Sequence, residues 1–363
     1  MPPLSLLIKP ASSLCNLQCK YCFYHDEAKN RDIASYGIMS DETLENIIKK
    51  ALSFAQQHIT IAFQGGEPTL AGLAFYEHLF ELEKIYNVNK IKIEHCIQTN
   101  GYIIDREWTQ FLKKHNFLVG LSLDGNKEMH DMYRVDAQST GSYARVMHTA
   151  QLFNQYGVEY NILTVVTRQL ARNIGKIYGF YKRSEFTWQQ YIPCLDPIGN
   201  ERGKEVYSLN PSEYQDFLCK LFDLWYQDLI KDEYISIRFF DNIVHMLHGK
   251  APESCAMRGV CSIGNVIEAD GEVYPCDFYV LDNYKLGNLN DVDFIDIASN
   301  AKKLNFIENS AVKSTECTEC RWQSICRGGC RRDRDINGVL SLNYYCASYK
   351  GFFEYAIDRL QKI

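Results

Sequence analysis

The sequence predicts an α/β protein: a partial, open (β/α)6 barrel of the TIM-like kind, followed by a small Cys-rich C-terminal domain. Three observations carry this. From Leu4 to about Pro193, short apolar runs alternate with amphipathic stretches, the pattern of strand–helix units around a parallel sheet. Six such units are too few for a closed eight-stranded barrel. Beyond Cys255 the apolar runs give way to turns, Gly and Cys, a composition that depends on metal more than on a large core. The barrel is expected over 1–233 and the Cys-rich domain over 234–363.

The expected strands are Leu4–Lys9, Ile59–Phe63, Ile91–Ile97, Phe117–Leu123, Tyr160–Val166 and Thr187–Ile192. Between the first two, Leu44, Ile47, Ile48, Ala51, Leu52 and Ala55 recur at steps of three and four, one face of a helix. Ser40 is placed to cap it, with Asp41 and Glu42 in the first turn against the dipole. A second helix starts at Asp105 with Trp108, Phe111 and Leu112 as its apolar face. Asn210-Pro211 opens a third, carrying Leu218, Leu221, Phe222, Trp225 and Leu229. Further on, Asn265–Ala269 and Glu272–Pro275 flank Asp270-Gly271, the preferred two-residue hairpin turn.

The 363 residues are 46% hydrophobic and 13% aromatic, which excludes a disordered or fibrous chain. A net charge of −6 offers no global attraction to nucleic acid or anionic lipid. The first apolar run, Leu4–Ile8, is too short for a signal segment or a membrane span, so a cytoplasmic protein is expected, with neither nucleic acid nor membrane as partner. The unusual count is Cys, at 14. In a long chain of this kind they point to metal rather than to a disulfide scaffold. Cys15, Cys19 and Cys22 form one group. Cys255, Cys261, Cys276, Cys317, Cys320, Cys326, Cys330 and Cys346 fill the last third, and Cys96, Cys194 and Cys219 stand alone in apolar settings. Eight thiols make two complete sets of four. Three make a site one ligand short, the usual sign of chemistry rather than scaffolding.

The stretch Cys15-Asn-Leu-Gln-Cys19-Lys-Tyr-Cys22 follows the first strand directly, at the end that carries the active face of a barrel. Its spacing lets one loop wrap three thiolates around an iron–sulfur cube and leave one iron open; a zinc loop has the same spacing. With Tyr21 before the third Cys and Gln64-Gly65-Gly66-Glu67-Pro68 after the second strand, the chain resembles the radical S-adenosylmethionine family. That resemblance implies a [4Fe-4S] cluster on Cys15, Cys19 and Cys22 whose open iron chelates S-adenosyl-L-methionine and, with one electron, releases a 5′-deoxyadenosyl radical. It also implies that Gly66 takes the methionine amino group and Tyr21 the adenine edge. Ser122 and Arg134 suit the ribose hydroxyls and the methionine carboxylate, and Leu195 the adenine through its backbone.

Cys317-Thr-Glu-Cys320, followed by Cys326, Cys330 and Cys346, with Cys255, Cys261 and Cys276 upstream, is similar to the SPASM extension. The resemblance implies two further [4Fe-4S] clusters, one on Cys255, Cys261, Cys276 and Cys330 and an outer one on Cys317, Cys320, Cys326 and Cys346; a zinc ribbon is the alternative. Over its whole length, and including the pair Cys276-Asp277, the chain resembles the anaerobic sulfatase-maturating enzymes. This implies abstraction of a hydrogen atom from the β-carbon of a Cys or Ser on an unfolded sulfatase polypeptide, in a Cys/Ser-x-Pro-x-Arg motif, to give Cα-formylglycine. Asp277 is then the base that takes the thiol or hydroxyl proton, an auxiliary cluster takes the second electron, and a flavodoxin or ferredoxin is the electron donor. Another peptide modification on the same scaffold, such as thioether cross-linking, is the nearest competitor, and a non-enzymatic zinc scaffold a more distant one.

Overall fold

Alternating burial sets the strands. The computed structural model describes residues 4–336 and 339–363 and divides into two units. The first gathers the residues up to Ser122 with Arg134–Tyr160 and Ile263–Asn305. In it Leu4, Leu6 and Ile8 of β1 (Leu4–Ile8) face inward, as do Ile59, Ile61 and Phe63 of β2 (His58–Phe63). The two pair in parallel from Leu4↔Ile59 to Ile8↔Phe63. β3 (Lys92–Thr99) joins β2 and β4 (Leu118–Ser122) joins β3, again in parallel. Every expected strand is present within one or two residues of its predicted ends.

Helices connect these strands. α1 (Phe23–Lys29) follows the cysteine loop. α2 (Asp41–Phe54) buries Leu44, Ile47, Ile48, Ala51 and Leu52, and the Ser40 hydroxyl accepts from Thr43 N at 3.1 Å, so cap and apolar face are as expected. α3 (Leu73–Tyr86) and α4 (Arg106–Lys114) follow, the latter capped by Asp105, which accepts from Trp108 N at 3.0 Å. Tyr76 sits edge-on to Phe63 at 5.0 Å and to Trp108 at 5.4 Å, welding α3 and α4 to β2. Truncating such a buried aromatic costs about 3–5 kcal/mol.

The hairpin differs from its expectation in two ways. Its first arm, β8 (Val266–Ile267), lies parallel to β1 through Leu7↔Val266 and Ile8↔Ile267, so the late hairpin extends the barrel sheet. β9 (Glu272–Tyr274) and β10 (Gly287–Asn288) then add antiparallel. The connection is also one residue longer than the two-residue turn. Glu268 N bonds Glu272 O, Gly271 N bonds Glu268 O, and Gly271 adopts φ +89°. A turn closed by a left-handed glycine is the three-residue solution.

The second unit comprises Leu123–Tyr133, Asn161–Ser262 and the chain from Phe306 onward. Its strands β5 (Glu159–Val166), β6 (Trp188–Pro193) and β7 (Ser236–Ile237) are parallel, with Ile162↔Gln189 and Trp188↔Ser236 in register. The helix Pro211–Leu229 has Pro in its first turn and a full capping box between Asn210 and Glu213. The terminal helix Cys346–Leu360 packs on it, Phe352 meeting Phe222 at 5.8 Å. Between Phe306 and Asp333 only short helical turns occur, and Phe306, Trp322 and Ile325 are the buried large apolar side chains.

Candidate active site and cluster ligands

The first strand ends at Ile8 and the chain turns directly into the three-cysteine loop. Cys22 N bonds Cys19 O at 3.1 Å, and Cys22 stands at the N-terminus of α1. The loop is pinned at Gln18, whose N–H reaches Val135 O at 2.7 Å, and by a bridge between Leu17 and Asp136. Cys15 Sγ accepts from Leu17 N at 3.4 Å and from Asn100 Nδ2 at 3.7 Å. Burial, with the Glu67 carboxylate beside it, pushes the Cys15 thiol up to about 12.

The Gly65-Gly66 turn has a role the sequence did not show. At Gly66, φ is +51° and a Cβ would stand 2.2 Å from Leu14 O, so the space it leaves is filled by the cysteine loop itself. Glu67 N then donates to Leu14 O at 2.8 Å. The Glu67 carboxylate is buried and accepts from Thr69 N at 3.1 Å, Thr69 Oγ1 at 2.6 Å, Thr99 Oγ1 at 2.7 Å and Asn100 N at 2.8 Å. Burial raises its pKa even against those bonds. One carboxylate thus ties the end of β2 to the end of β3 underneath the loop.

Tyr21 and Arg134 come together: the guanidinium lies 5.5 Å from the ring centre, and both residues are buried. Such a cation–π contact is worth about 0.5–2 kcal/mol. Arg134 O accepts from Ser142 N and Ser142 Oγ, which fixes its backbone. Ser122 is buried at the end of β4. Leu195 belongs to the second unit, in the segment after β6, between the buried thiol of Cys194 and Asp196, whose Oδ2 accepts from Gly203 N at 3.0 Å.

Asp277 follows β9. Its Oδ2 accepts from Tyr24 Oη at 2.6 Å and from Gln64 Nε2 at 3.1 Å, and Gln64 also donates to Tyr24. Its Oδ1 is shielded from solvent and has no hydrogen-bond partner. Burial pushes Asp277 up to about 6, restrained by Lys9 and by the Tyr24 hydrogen bond. Lys9 is itself 1% exposed. Its ammonium lies 2.6 Å from Glu268 Oε1 and 3.9 Å from Glu27 Oε2, and Arg31 Nη1 lies 2.8 Å from the same Glu268 oxygen. Burial alone would raise Glu268, but the two cations outweigh it and hold it at about 2. Burial takes Glu27 the other way, to about 8, although Lys9 opposes it. Tyr24, Gln64, Lys9, Glu27, Arg31 and Glu268 were not singled out from sequence; Gln64 alone lay in a quoted motif.

The cysteines of the last third sort similarly. Cys317, Cys320, Cys326 and Cys346 line one cavity with Trp322 and Phe353. Cys255, Cys261 and Cys330 are close enough to raise one another's pKa electrostatically, on top of the larger effect of burial. Cys276 lies in the first unit, next to Asp277. All 14 thiols are free. Buried thiols with raised pKa values, Cys15 at about 12 and Cys326 at about 11, hold their protons until a metal displaces them. Thiol donors in sets of this kind, one around a ready cavity, fit iron–sulfur clusters. Cys194 donates instead to Tyr207 O at 3.4 Å in the core.

The Radical SAM superfamily pattern matches residues 10–178, and that of an iron-sulfur cluster-binding domain, SPASM, matches 255–321. A cysteine-type anaerobic sulfatase-maturating enzyme of Clostridium perfringens (strain 13 / Type A) is 51% identical over 363 residues, spanning 99% of this chain and 98% of that protein. The chain belongs to the anaerobic sulfatase-maturating enzymes. The cysteine-type enzyme of Clostridium novyi (strain NT) is 49% identical over 99% of this chain and 97% of its own length. The serine-type enzyme of Bacteroides thetaiotaomicron is 32% identical over 97% and 89%. A solved structure, native anSMEcpe with bound AdoMet and Cp18Cys peptide, matches with a TM-score of 0.95 at 49% identity, covering 99% of this chain and 98% of that one. The radical S-adenosylmethionine fold with its SPASM extension is therefore present, with the [4Fe-4S] clusters it implies, and the chain acts on a peptide. No helix among the described residues is long and apolar enough to cross a membrane.

Proposed function

We propose that this enzyme converts a cysteine, within a Cys-x-Pro-x-Arg segment of an unfolded sulfatase chain, to Cα-formylglycine, with Asp277 as the base. The observation that carries the role of Asp277 is the asymmetry of its carboxylate. Oδ2 is held by Tyr24 and Gln64, while Oδ1 is unpartnered and out of solvent. A carboxylate fixed by one oxygen presents the other in a defined direction, as a general base requires. The preference for cysteine over serine rests on the higher identity to cysteine-type than to serine-type relatives.

Cys15, Cys19 and Cys22 would hold the open cluster, and Tyr21, Gly66, Ser122, Arg134 and Leu195 would hold S-adenosylmethionine. Cys255, Cys261, Cys276 and Cys330 would hold one auxiliary cluster and Cys317, Cys320, Cys326 and Cys346 the other. When bound, the open cluster and S-adenosylmethionine supply the abstraction of a hydrogen atom from the β-carbon. The chain's own residues do the rest. Arg134 stacks beside Tyr21 and brings a positive charge to the loop. Asp277 receives the thiol proton on Oδ1. The first 233 residues supply the barrel and residues 234–363 the auxiliary extension, with a flavodoxin- or ferredoxin-type donor supplying electrons.

The test is anaerobic turnover of a sulfatase-motif peptide with reductant. A mass change from thiol to aldehyde side chain, and an aldehyde-specific adduct, are expected; an unchanged mass or a cross-linked peptide would overturn the assignment. Asp277→Asn should cleave S-adenosylmethionine normally yet form product about 100-fold or more slowly, the range for losing a general base. Full product formation would remove Asp277 from the role.

A further inference from the structure

Lys313 sits between the short helices Phe306–Ala311 and Thr315–Thr318. It lines the cavity that contains Cys317, Cys320, Cys326 and Cys346. Its ammonium donates to the carbonyl of Gly259, in the loop that runs from Cys255 to Cys261. A Cβ added at Gly328 would stand 3.2 Å from Lys313 Cε and 3.3 Å from Cys317 Sγ, so the lysine stem and that sulfur flank one glycine. Its charge is felt at Cys317, Cys261 and Cys326. The other cation facing it, Arg334, is turned toward the carbonyls of Ser310 and Val312. Lys313 is therefore a cation placed between thiols of two different ligand sets, and nothing in the proton chemistry at Asp277 uses it.

We propose that Lys313 is a positioning residue for electron transfer, a fixed positive charge shared by the two auxiliary sites that raises the reduction potential of both, and most of all that of the site at Cys317, Cys320, Cys326 and Cys346. The inference rests on the assignment of these thiols to two clusters. Reduction adds a negative charge, and a cation a few ångströms away stabilises the reduced form. The step served is the passage of one electron from one site to the other, with no bond made or broken and no proton moved. A stronger pull at the outer site draws the electron away from the substrate side.

The experiment is redox titration of the holoenzyme followed by electron paramagnetic resonance, with iron counted in every sample. Lys313→Gln should keep about twelve iron atoms per chain. At a fixed poise, the reduced-to-oxidised ratio at the outer site should fall roughly tenfold, about 59 mV for one electron, with a smaller fall at the other site. Lys313→Arg, which keeps the charge, should stay near the parent. Unmoved potentials in Lys313→Gln with all iron present would overturn the proposal, as would an equal shift in Lys313→Arg. Loss of about four iron atoms on Lys313→Gln would make Lys313 a scaffold residue, which also overturns it. A parent enzyme lacking the iron for two auxiliary clusters would instead overturn the assignment beneath it.

Discussion

The loop bearing Cys15, Cys19 and Cys22 and the stretch from Phe306 to Asp333 both present thiols, but in different settings. The first grows from a buried parallel strand, is braced by Gly66 and Glu67, and has an ion-paired core of Lys9, Glu268 and Arg31 nearby. The second is a series of short turns with Phe306, Trp322 and Ile325 as its large buried apolar groups. A barrel can hold an open cluster on a frame that exists without it, whereas a segment with so small a core takes its order from what its thiols bind.

The largest effect should come from exchanging the two. Cys15→Ala should abolish turnover and lose about four iron atoms, with hydrogen exchange in β1–β4 unchanged. Cys326→Ala should lose the same iron but also release amide protection across Phe306–Asp333. Equal protection in both variants would erase the contrast.

Gly66→Ala comes next. Its Cβ would collide with Leu14 O in a backbone region that side chains avoid. S-adenosylmethionine affinity, measured by equilibrium binding to the loaded enzyme, should fall roughly tenfold or more, ~1.4 kcal/mol, while the auxiliary clusters stay loaded. Unchanged affinity would mean that the loop does not lean on this glycine.

The smallest effect is the pH response of the first region. Glu268 is held at about 2, below its usual 4.5, so its contribution is complete above pH 4.5 and is lost as pH falls toward 2. Glu27 is held near 8, so its contribution is complete below pH 4.5 and is lost as pH rises through 8. Hydrogen exchange at the β1 and β8 amides should therefore quicken on both sides, relative to the intrinsic exchange rate. Protection that is flat through pH 8 would deny Glu27 its buried, protonated state.

The strands, the capped helices and the thiol groups were legible because their signals are local: period-two burial in Ile59–Phe63, the Ser40 cap, the spacing of Cys15, Cys19 and Cys22. What stayed hidden depends on partners far away in the chain. Gln64 and Tyr24 meet at Asp277, across sequence separations of 213 and 253 residues. Lys9 reads as a strand-end charge until Glu268 is placed against it. The hairpin was legible as a hairpin, but nothing local says that Val266 pairs with Leu7.

That last pairing has a consequence for synthesis. β1 is made first, yet the strand that covers its outer edge and the carboxylate that neutralises Lys9 are made some 260 residues later, after roughly 10–50 s of translation at about 5–20 residues per second. Through that interval the nascent chain carries an open strand edge and a lysine without its main counter-ion. A ribosome-bound chain stalled before Val266 should therefore be a client for chaperones, and the final hairpin acts as the latch that lets the protein leave them.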